Sequence, residues 1–202
     1  MNDRPAAASA KTTYRGLSAG VTFLTQPLAA DTEITGPIAV KLFVSSETAD
    51  ADLFVVVRAF APDFQEITFQ GHTDPHTTIA QGWLRASHRK LDPKRSLPYR
   101  PFHSHDEIQK LTPGEVYELD IEVLPTCVIV PKAHRLALTV RGKDYQWGGE
   151  PVLNIGFHGA YTGCGPFRHD EPRDRPPEVF DRNVMLHSGP DRQAYVLLPV
   201  IP

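Results

Sequence analysis

The sequence predicts an all-β fold, a jelly-roll β-sandwich, on three observations. Apolar and polar residues alternate in several short runs, as they do in strands that have one buried face. Proline accounts for 19 of the 202 residues, and it disfavours helices because it removes a backbone donor. No long stretch has convincing helical spacing of apolar residues. Many short strands separated by glycine and proline turns favour a sandwich over a helical bundle.

Period-two alternation predicts about nine strands. In the run 38–44 the even-numbered residues are all aliphatic, so they share one face of a strand. The run 53–61 is apolar on both faces except at Arg58, which predicts a strand buried on both sides. The predicted strands are 21–25, 38–44, 53–61, 66–69, 79–87, 115–124, 135–141, 183–187 and 196–200, with turns at Thr35-Gly36-Pro37 and Thr112-Pro113-Gly114.

The ends and the loops complete the predicted organisation. Residues 1–15 are rich in small and polar residues without periodicity, which predicts a disordered tail. Residues 16–202 have the length of one domain and are predicted to form a single jelly roll. Two proline-rich segments, 92–113 and 163–178, lack a strand pattern. The first carries several apolar residues, so we expect it to lie on a protein surface, its own or a partner's.

Charge and composition exclude several classes of protein. The 21 basic and 24 acidic residues give a net charge of −3, which argues against a nucleic-acid partner. No apolar run has the length of a membrane span, and the N-terminus lacks the apolar core of a secretory signal, so a cytoplasmic location is expected. The only two cysteines are too few for a disulfide scaffold. Cys127 is predicted to be a small buried residue, and Cys164 a turn residue flanked by glycines.

No catalytic residue is predicted. Residues 16–20 match the G-x-S-x-G pattern, whose serine must lie on a sharp turn between a strand and a helix. Here a tail precedes Ser18 and a strand follows it, so the pattern is interpreted as coincidental. A nucleophilic cysteine needs a base and a lowered pKa, and the sequence places no histidine beside Cys164.

Metal binding is considered at three places and predicted at none. The segments 72–76 and 103–106 each combine two histidines with a carboxylate, and H-x-H can direct two rings at zinc. Neither segment supplies a third and a fourth ligand at a recognisable spacing. Asp50 and Asp52 have the chemistry for calcium, but an acidic turn before a strand explains them equally well. We therefore predict no metal and no cofactor.

Aromatic residues offer a candidate ligand-binding surface. Tyr145 and Trp147 lie in a glycine-rich stretch, and Tyr161 follows nearby. Aromatic faces on a β-sandwich can stack on sugars or other small ligands. These three residues are the predicted ligand contacts, whereas Trp83 alternates within a predicted strand and is assigned to the core or to the sheet surface.

Several stretches in order resemble one known module. Together they are similar to the C-terminal domain of the Xaa-Pro dipeptidyl-peptidase and cocaine-esterase-like (CocE/NonD) acyl hydrolases, from about Gly16 to the end. The stretches are Leu24-Thr25-Gln26-Pro27-Leu28, Asp31-Thr32-Glu33-Ile34-Thr35-Gly36-Pro37, Lys41-Leu42-Phe43-Val44-Ser45-Ser46, Asp50-Ala51-Asp52-Leu53-Phe54, Gly82-Trp83-Leu84-Arg85-Ala86-Ser87-His88-Arg89 with Pro98-Tyr99-Arg100-Pro101, Leu111-Thr112-Pro113-Gly114-Glu115-Val116-Tyr117-Glu118-Leu119 and Leu197-Leu198-Pro199-Val200-Ile201-Pro202.

The resemblance implies a fold and a role. In that family the domain is a galactose-binding-like jelly roll that follows an α/β-hydrolase domain, packs on it and helps to wall its cleft. The Ser-Asp-His triad belongs to the α/β-hydrolase domain, so no catalytic residue carries over to this chain. The implied partner is an α/β-hydrolase domain, in the same longer chain or in a separate subunit. An exposed apolar patch is then expected, which in isolation could form a homodimer. The alternative is a stand-alone carbohydrate or small-ligand binding module.

Overall fold

The regular secondary structure of the protein consists almost entirely of antiparallel strands. The computed structural model describes residues 9–71, 74–150, 152–154, 159–165 and 168–202. Two short helical segments are also present, a 3-10 turn at Ala86–His88 and α1 at Pro177–Phe180. The strands are β1 Ala10–Arg15, β2 Val21–Leu24, β3 Thr32–Ser46, β4 Asp52–Phe60, β5 Glu66–Ile67, β6 Ala80–Arg85, β7 Tyr117–Val130, β8 Arg135–Arg141, β9 Val152–Asn154, β10 Gly159–Tyr161, β11 Asn183–Ser188, β12 Tyr195–Leu197 and β13 Val200–Ile201.

The first sheet is organised around the long strand β3. Strand β7 pairs along one edge of β3, from Thr32 opposite Val130 to Val44 opposite Tyr117. The other edge of β3 pairs in turn with β13, β12 and β11, and β1 pairs with the far side of β11. One strand therefore holds most of this sheet together.

The second sheet is organised around β4. Strand β8 pairs with one edge of β4 and carries β2 on its own outer edge. Strands β6 and β5 share the opposite edge of β4. Strands β9 and β10 form a separate antiparallel pair.

The core lies between the two large sheets, which form a β-sandwich. The alternation predicted for 38–44 is confirmed, because its even-numbered residues are at most 4% exposed. Strand β4 is buried on both faces as predicted, with Leu53 and Val55 facing the core and Phe54 covered from outside by His169 and Arg175. Each fully buried aliphatic side chain contributes about 1.5–3 kcal/mol relative to exposure. The jelly-roll connectivity stays a prediction.

Two sequence predictions about the chain path differ from the structure. The predicted tail 1–15 includes Ala10–Arg15, which instead pairs with β11 as an edge strand, whereas residues 1–8 lie outside the described residues. Tyr14 is the one deeply buried side chain of this strand, so alternation is too weak to reveal it. The predicted turn at Thr35-Gly36-Pro37 is a β-bulge inside β3, where Gly36 has φ +135° and the register with β7 shifts.

Both proline-rich segments pack on the protein's own surface. In 92–113, Leu111 is buried, and its backbone N–H donates to the carbonyl of Ala49. In the second segment, Arg175 is buried and donates to Asp52 Oδ2 at 2.8 Å. Long-range contacts thus replace regular hydrogen-bonded structure in these loops. Within the described ranges, no helix is both long and apolar enough to cross a membrane.

Candidate functional site

An apolar cleft of about 370 Å³ opens between the edges of the two sheets. It exists because the same edge of β3 changes partner: β11 ends its pairing at Phe43, and β12 begins at Lys41. Leu42 lies between these two pairings, and the two partner strands separate there. Strand β2 of the second sheet forms the opposite wall.

The cleft has a buried apolar floor and an exposed apolar rim. Leu42 and Leu186 contribute to the floor and belong to the core. Phe23, Leu24 and Tyr195 are 45–46% exposed at the rim. A concave surface that exposes several large apolar side chains is typical of a site that another macromolecule covers.

The polar groups along the cleft do not form catalytic machinery. Ser45 Oγ lies 2.8 Å from His187 Nε2, but Ser45 is only 1% exposed. Burial, and then the positive charges of Arg192 and Lys11, lower the pKa of His187. In a Ser-His-Asp triad a carboxylate orients the histidine, whereas the charged groups that act on His187 are the cations Arg192 and Lys11. The contact between Ser45 and His187 is therefore a structural hydrogen bond.

Ser18, the serine of the G-x-S-x-G pattern, lies in a turn between two strands. Its hydroxyl accepts a hydrogen bond from the Gly20 backbone N–H at 3.0 Å, between β1 and β2. A strand follows it rather than a helix, so the strand–turn–helix geometry of a nucleophile elbow is absent at this place.

The predicted ligand contacts come together but do not form an open platform. Trp147 donates its backbone N–H to the Thr162 carbonyl at 2.6 Å, beside Tyr161. Tyr145 and Tyr161 are only 1% and 2% exposed, so their faces do not reach solvent. Trp147 is half-buried, and its ring stacks on His76 with 3.4 Å between centroids. Ligand binding by these residues stays a prediction.

The carboxylates considered for metal binding are used inside the protein. Asp50 Oδ1 accepts the backbone N–H of Ser87, and its Oδ2 pairs with Lys110. Asp52 pairs with Arg85 and Arg175. These contacts join loops to the second sheet and leave no carboxylate pair open to calcium.

The two histidine segments considered for metal binding, 72–76 and 103–106, have different surroundings in the structure. His72 lies outside the described residues, and the Asp74 carboxylate accepts the backbone N–H groups of Gly163 and Gly165. In the other segment, His105 approaches His88, a residue that the sequence analysis did not connect with it. In the part of the chain that the structure describes, no group of three or more such side chains could hold a metal ion.

The two cysteines are both free. Burial, followed by the nearby Asp144 charge, raises the pKa of the Cys164 thiol, which opposes a nucleophilic role. Cys127 is exposed, so the prediction that it is buried was wrong. Strand alternation turns Cys127 and Ile129 to solvent, whereas Val130 faces the core.

Comparison with known proteins places this chain in one family. The family model of the X-Pro dipeptidyl-peptidase C-terminal non-catalytic domain matches residues 3–154. A candidate serine esterase of Mycobacterium bovis is 32% identical over 129 residues, which are 61% of this chain and 19% of that protein. Cocaine esterase of Rhodococcus sp. is 22% identical over 89% of this chain and 25% of its own length.

Solved structures share the fold. A CocE/NonD family hydrolase from Staphylococcus aureus superposes with a TM-score of 0.80 at 24% identity, over 97% of this chain and 33% of that one. An α-amino acid ester hydrolase gives 0.60 at 15% identity, over 91% and 26% of the two chains. The chain thus spans between 19% and 33% of the length of these relatives. The resemblance found in the sequence is confirmed: the chain belongs to the family of C-terminal non-catalytic domains of X-Pro dipeptidyl-peptidases.

Proposed function

We propose that this chain is the accessory β-sandwich of a serine acyl hydrolase, with Xaa-Pro dipeptidyl-peptidase or acyl esterase activity, and that its apolar cleft docks on an α/β-hydrolase domain. Family membership and the small share of each relative's length support the accessory role. The Ser-Asp-His triad would lie in the partner domain, and this chain would help to shape the cleft around it.

The observation that carries the docking proposal is the exposed rim of Phe23, Leu24 and Tyr195 above a buried floor. Covering one such side chain contributes roughly 1.5–3 kcal/mol. Two or three of them supply the central anchors that interfaces between domains use. The cleft also lacks free charged groups in its described lining, so docking an apolar partner there leaves few ions to desolvate.

The test uses the α/β-hydrolase domain that is encoded with this chain, in the same reading frame or in the adjacent one. The two parts are co-expressed, and complex formation is measured by size exclusion and calorimetry. Phe23→Ser and Tyr195→Ser should each weaken association at least about tenfold, because a lost apolar anchor of 1.4 kcal/mol corresponds to that factor.

Ile108→Ser is the matched control, since Ile108 is 62% exposed and does not line the cleft. Equal association of the rim variants and the wild type would show that another surface docks. The accessory role itself would be contradicted if no α/β-hydrolase domain were encoded with the chain, or if the chain alone hydrolysed p-nitrophenyl esters.

Two other predictions are tested in the same preparation. The isolated chain is expected to form a homodimer through the cleft, which light scattering over a concentration series detects. The alternative role, carbohydrate or small-ligand binding by Tyr145, Trp147 and Tyr161, predicts hits on a glycan array. The burial of two of these three residues favours the accessory role instead.

A further inference from the structure

The hairpin that joins β4 to β5 carries an exposed aromatic side chain. Phe64 is 60% exposed and does not belong to the hydrophobic core. The Arg135 guanidinium lies over its ring, with 5.3 Å between the guanidinium carbon and the ring centroid. Single exposed apolar residues are common on protein surfaces, so exposure alone assigns no role to Phe64.

The backbone of Phe64 has a conformation that suits glycine better than phenylalanine. Its φ is +67°, in the left-handed region that bulky residues rarely adopt. The Phe64 N–H donates to the Ala61 carbonyl at 2.9 Å, and the Ala61 N–H donates to the Gln65 carbonyl at 2.9 Å. These bonds define a three-residue hairpin loop, 62–64, whose last position is usually glycine. The chain therefore keeps a large ring at a strained and exposed place, a combination that points to function.

Arg135 connects Phe64 to the apolar cleft. Its Nη1 donates to the Thr25 carbonyl at 2.8 Å, and Thr25 lines the cleft next to Leu24 of the exposed rim. The same guanidinium contacts the Phe64 ring. The hairpin tip therefore lies beside the cleft, and a partner that covers the rim also reaches Phe64.

We propose that Phe64 is a docking anchor that inserts into an apolar pocket of the α/β-hydrolase domain, beside the surface that the cleft contacts. This inference rests on the proposed function. A hairpin tip is convex and the cleft is concave, so the two features interlock with the partner in opposite directions. The closed turn presents the ring at the surface before association, which lowers the conformational entropy lost on docking. Aromatic side chains of this kind are enriched at the centres of interfaces.

The substitution Phe64→Gly separates docking from folding, because it removes the ring and suits the left-handed backbone. The co-expressed α/β-hydrolase domain should bind this variant at least about tenfold more weakly in calorimetry, as expected for the loss of one buried apolar anchor. The thermal unfolding midpoint of the isolated chain should not fall, because glycine relieves the backbone strain. Phe64→Asn should give the same two results, since asparagine also tolerates positive φ.

Ala133→Gly is the matched control for the backbone. Ala133 is exposed and has φ +66°, nearly the same as Phe64, but it carries no ring and does not line the cleft. Its substitution relieves the same kind of strain without removing an apolar anchor. The unfolding midpoint should again not fall, and association with the α/β-hydrolase domain should equal that of the wild type.

The proposal is overturned if Phe64→Gly binds the α/β-hydrolase domain as tightly as the wild type. It is also overturned if Phe64→Gly lowers the unfolding midpoint and Ala133→Gly does not, since the ring would then stabilise its own domain. If Phe23→Ser and Tyr195→Ser weaken association and Phe64→Gly does not, only the role of Phe64 fails. If the wild type does not bind the α/β-hydrolase domain, the proposed docking and this inference fail together.

Discussion

Tyr14 and Tyr145 are both buried, but their hydroxyl groups have different surroundings. Tyr145 donates its hydroxyl hydrogen to Glu66 Oε1 at 2.8 Å, beneath the Arg58 guanidinium. The Tyr14 hydroxyl is buried in β1 without a partner. Removing the oxygen therefore breaks a charge-assisted hydrogen bond in one case and relieves an unsatisfied group in the other.

Tyr145→Phe should lower the free energy of unfolding by about 1.5–3 kcal/mol, because the bond is made to a charged acceptor. Tyr14→Phe, the matched control, should leave stability unchanged or slightly raised, since the lost hydroxyl was unpaired. Urea unfolding curves with unchanged slopes measure both. Equal losses in the two variants would contradict the assigned hydrogen-bond pattern.

At the scale of elements, β6 of the second sheet packs closely against β7 of the first sheet at Gly82. A Cβ on Gly82 would lie 2.2 Å from the backbone oxygen of Glu122 and 3.0 Å from the Val123 Cα. Backbone atoms cannot move aside as a flexible side chain can. The absence of a side chain at this position therefore sets the distance between the sheets.

Gly82→Ala should destabilise the protein by about 1–3 kcal/mol through overpacking. Gly148→Ala is the control, because a Cβ there meets no atom within 4 Å. Thermal unfolding compares the two. A stable Gly82→Ala protein would mean that β6 and β7 are farther apart than described.

Arg175 anchors the second proline-rich segment to the second sheet. It pairs with Asp52 and also donates to the backbone carbonyls of His169 and Gly142. Its side chain is only 6% exposed, whereas the nearby Arg173 is 90% exposed and pairs with Glu171. Two arginines two residues apart thus have opposite environments.

Arg175→Met should cost about 3–5 kcal/mol, because it leaves buried acceptors without their donor. Arg173→Met should cost less than roughly 1 kcal/mol, as expected for an exposed ion pair. Chemical unfolding measures both. A loss of the same size in Arg173→Met would show that the segment is held differently.

At the scale of the whole molecule, the buried tyrosines make stability depend on alkaline pH. Burial is the main cause that raises the pKa of both Tyr14 and Tyr145, and the negative charges of Asp52 and Glu66 add to it. The raised pKa means that the fold keeps these groups neutral. The two tyrosines therefore contribute their full stabilisation below pH 10, the approximate pKa of tyrosine in the unfolded chain. This stabilisation is lost as the pH rises through their pKa in the folded protein.

Between about pH 10 and the folded pKa, each tyrosine should lower the free energy of unfolding by roughly 1.4 kcal/mol per pH unit. Unfolding curves from about pH 9 to pH 11 measure this slope, and phenolate absorbance should rise together with unfolding. Tyr145→Phe should reduce this slope by the contribution of one tyrosine, which is roughly 1.4 kcal/mol per pH unit. A stability that stays constant over this range would contradict the prediction.

The sequence by itself determined the long strands and the family. Alternation along 38–44 and 53–61 predicts β3 and β4 because the pleat places successive side chains on opposite faces, which is a local property. Strand β1 escaped prediction because its alternation is weak, and β9 and β10 are three-residue strands, too short for periodicity to show. The stretches that resemble the family, taken in their order along the chain, predicted the accessory role, although they contain no information on the geometry of a site.

Only the tertiary structure decided which surfaces are open and which residues meet. The cleft arises from a change of partner along β3. His88 contacts His105, a residue 17 positions further along the chain that has the left-handed φ of +52°. The sequence predicts Tyr145 and Tyr161 as ligand contacts, yet both side chains are buried in the structure. Local patterns report which face of a strand is apolar. Burial in loops and contacts between distant segments depend on how the sheets pack, which no local pattern records.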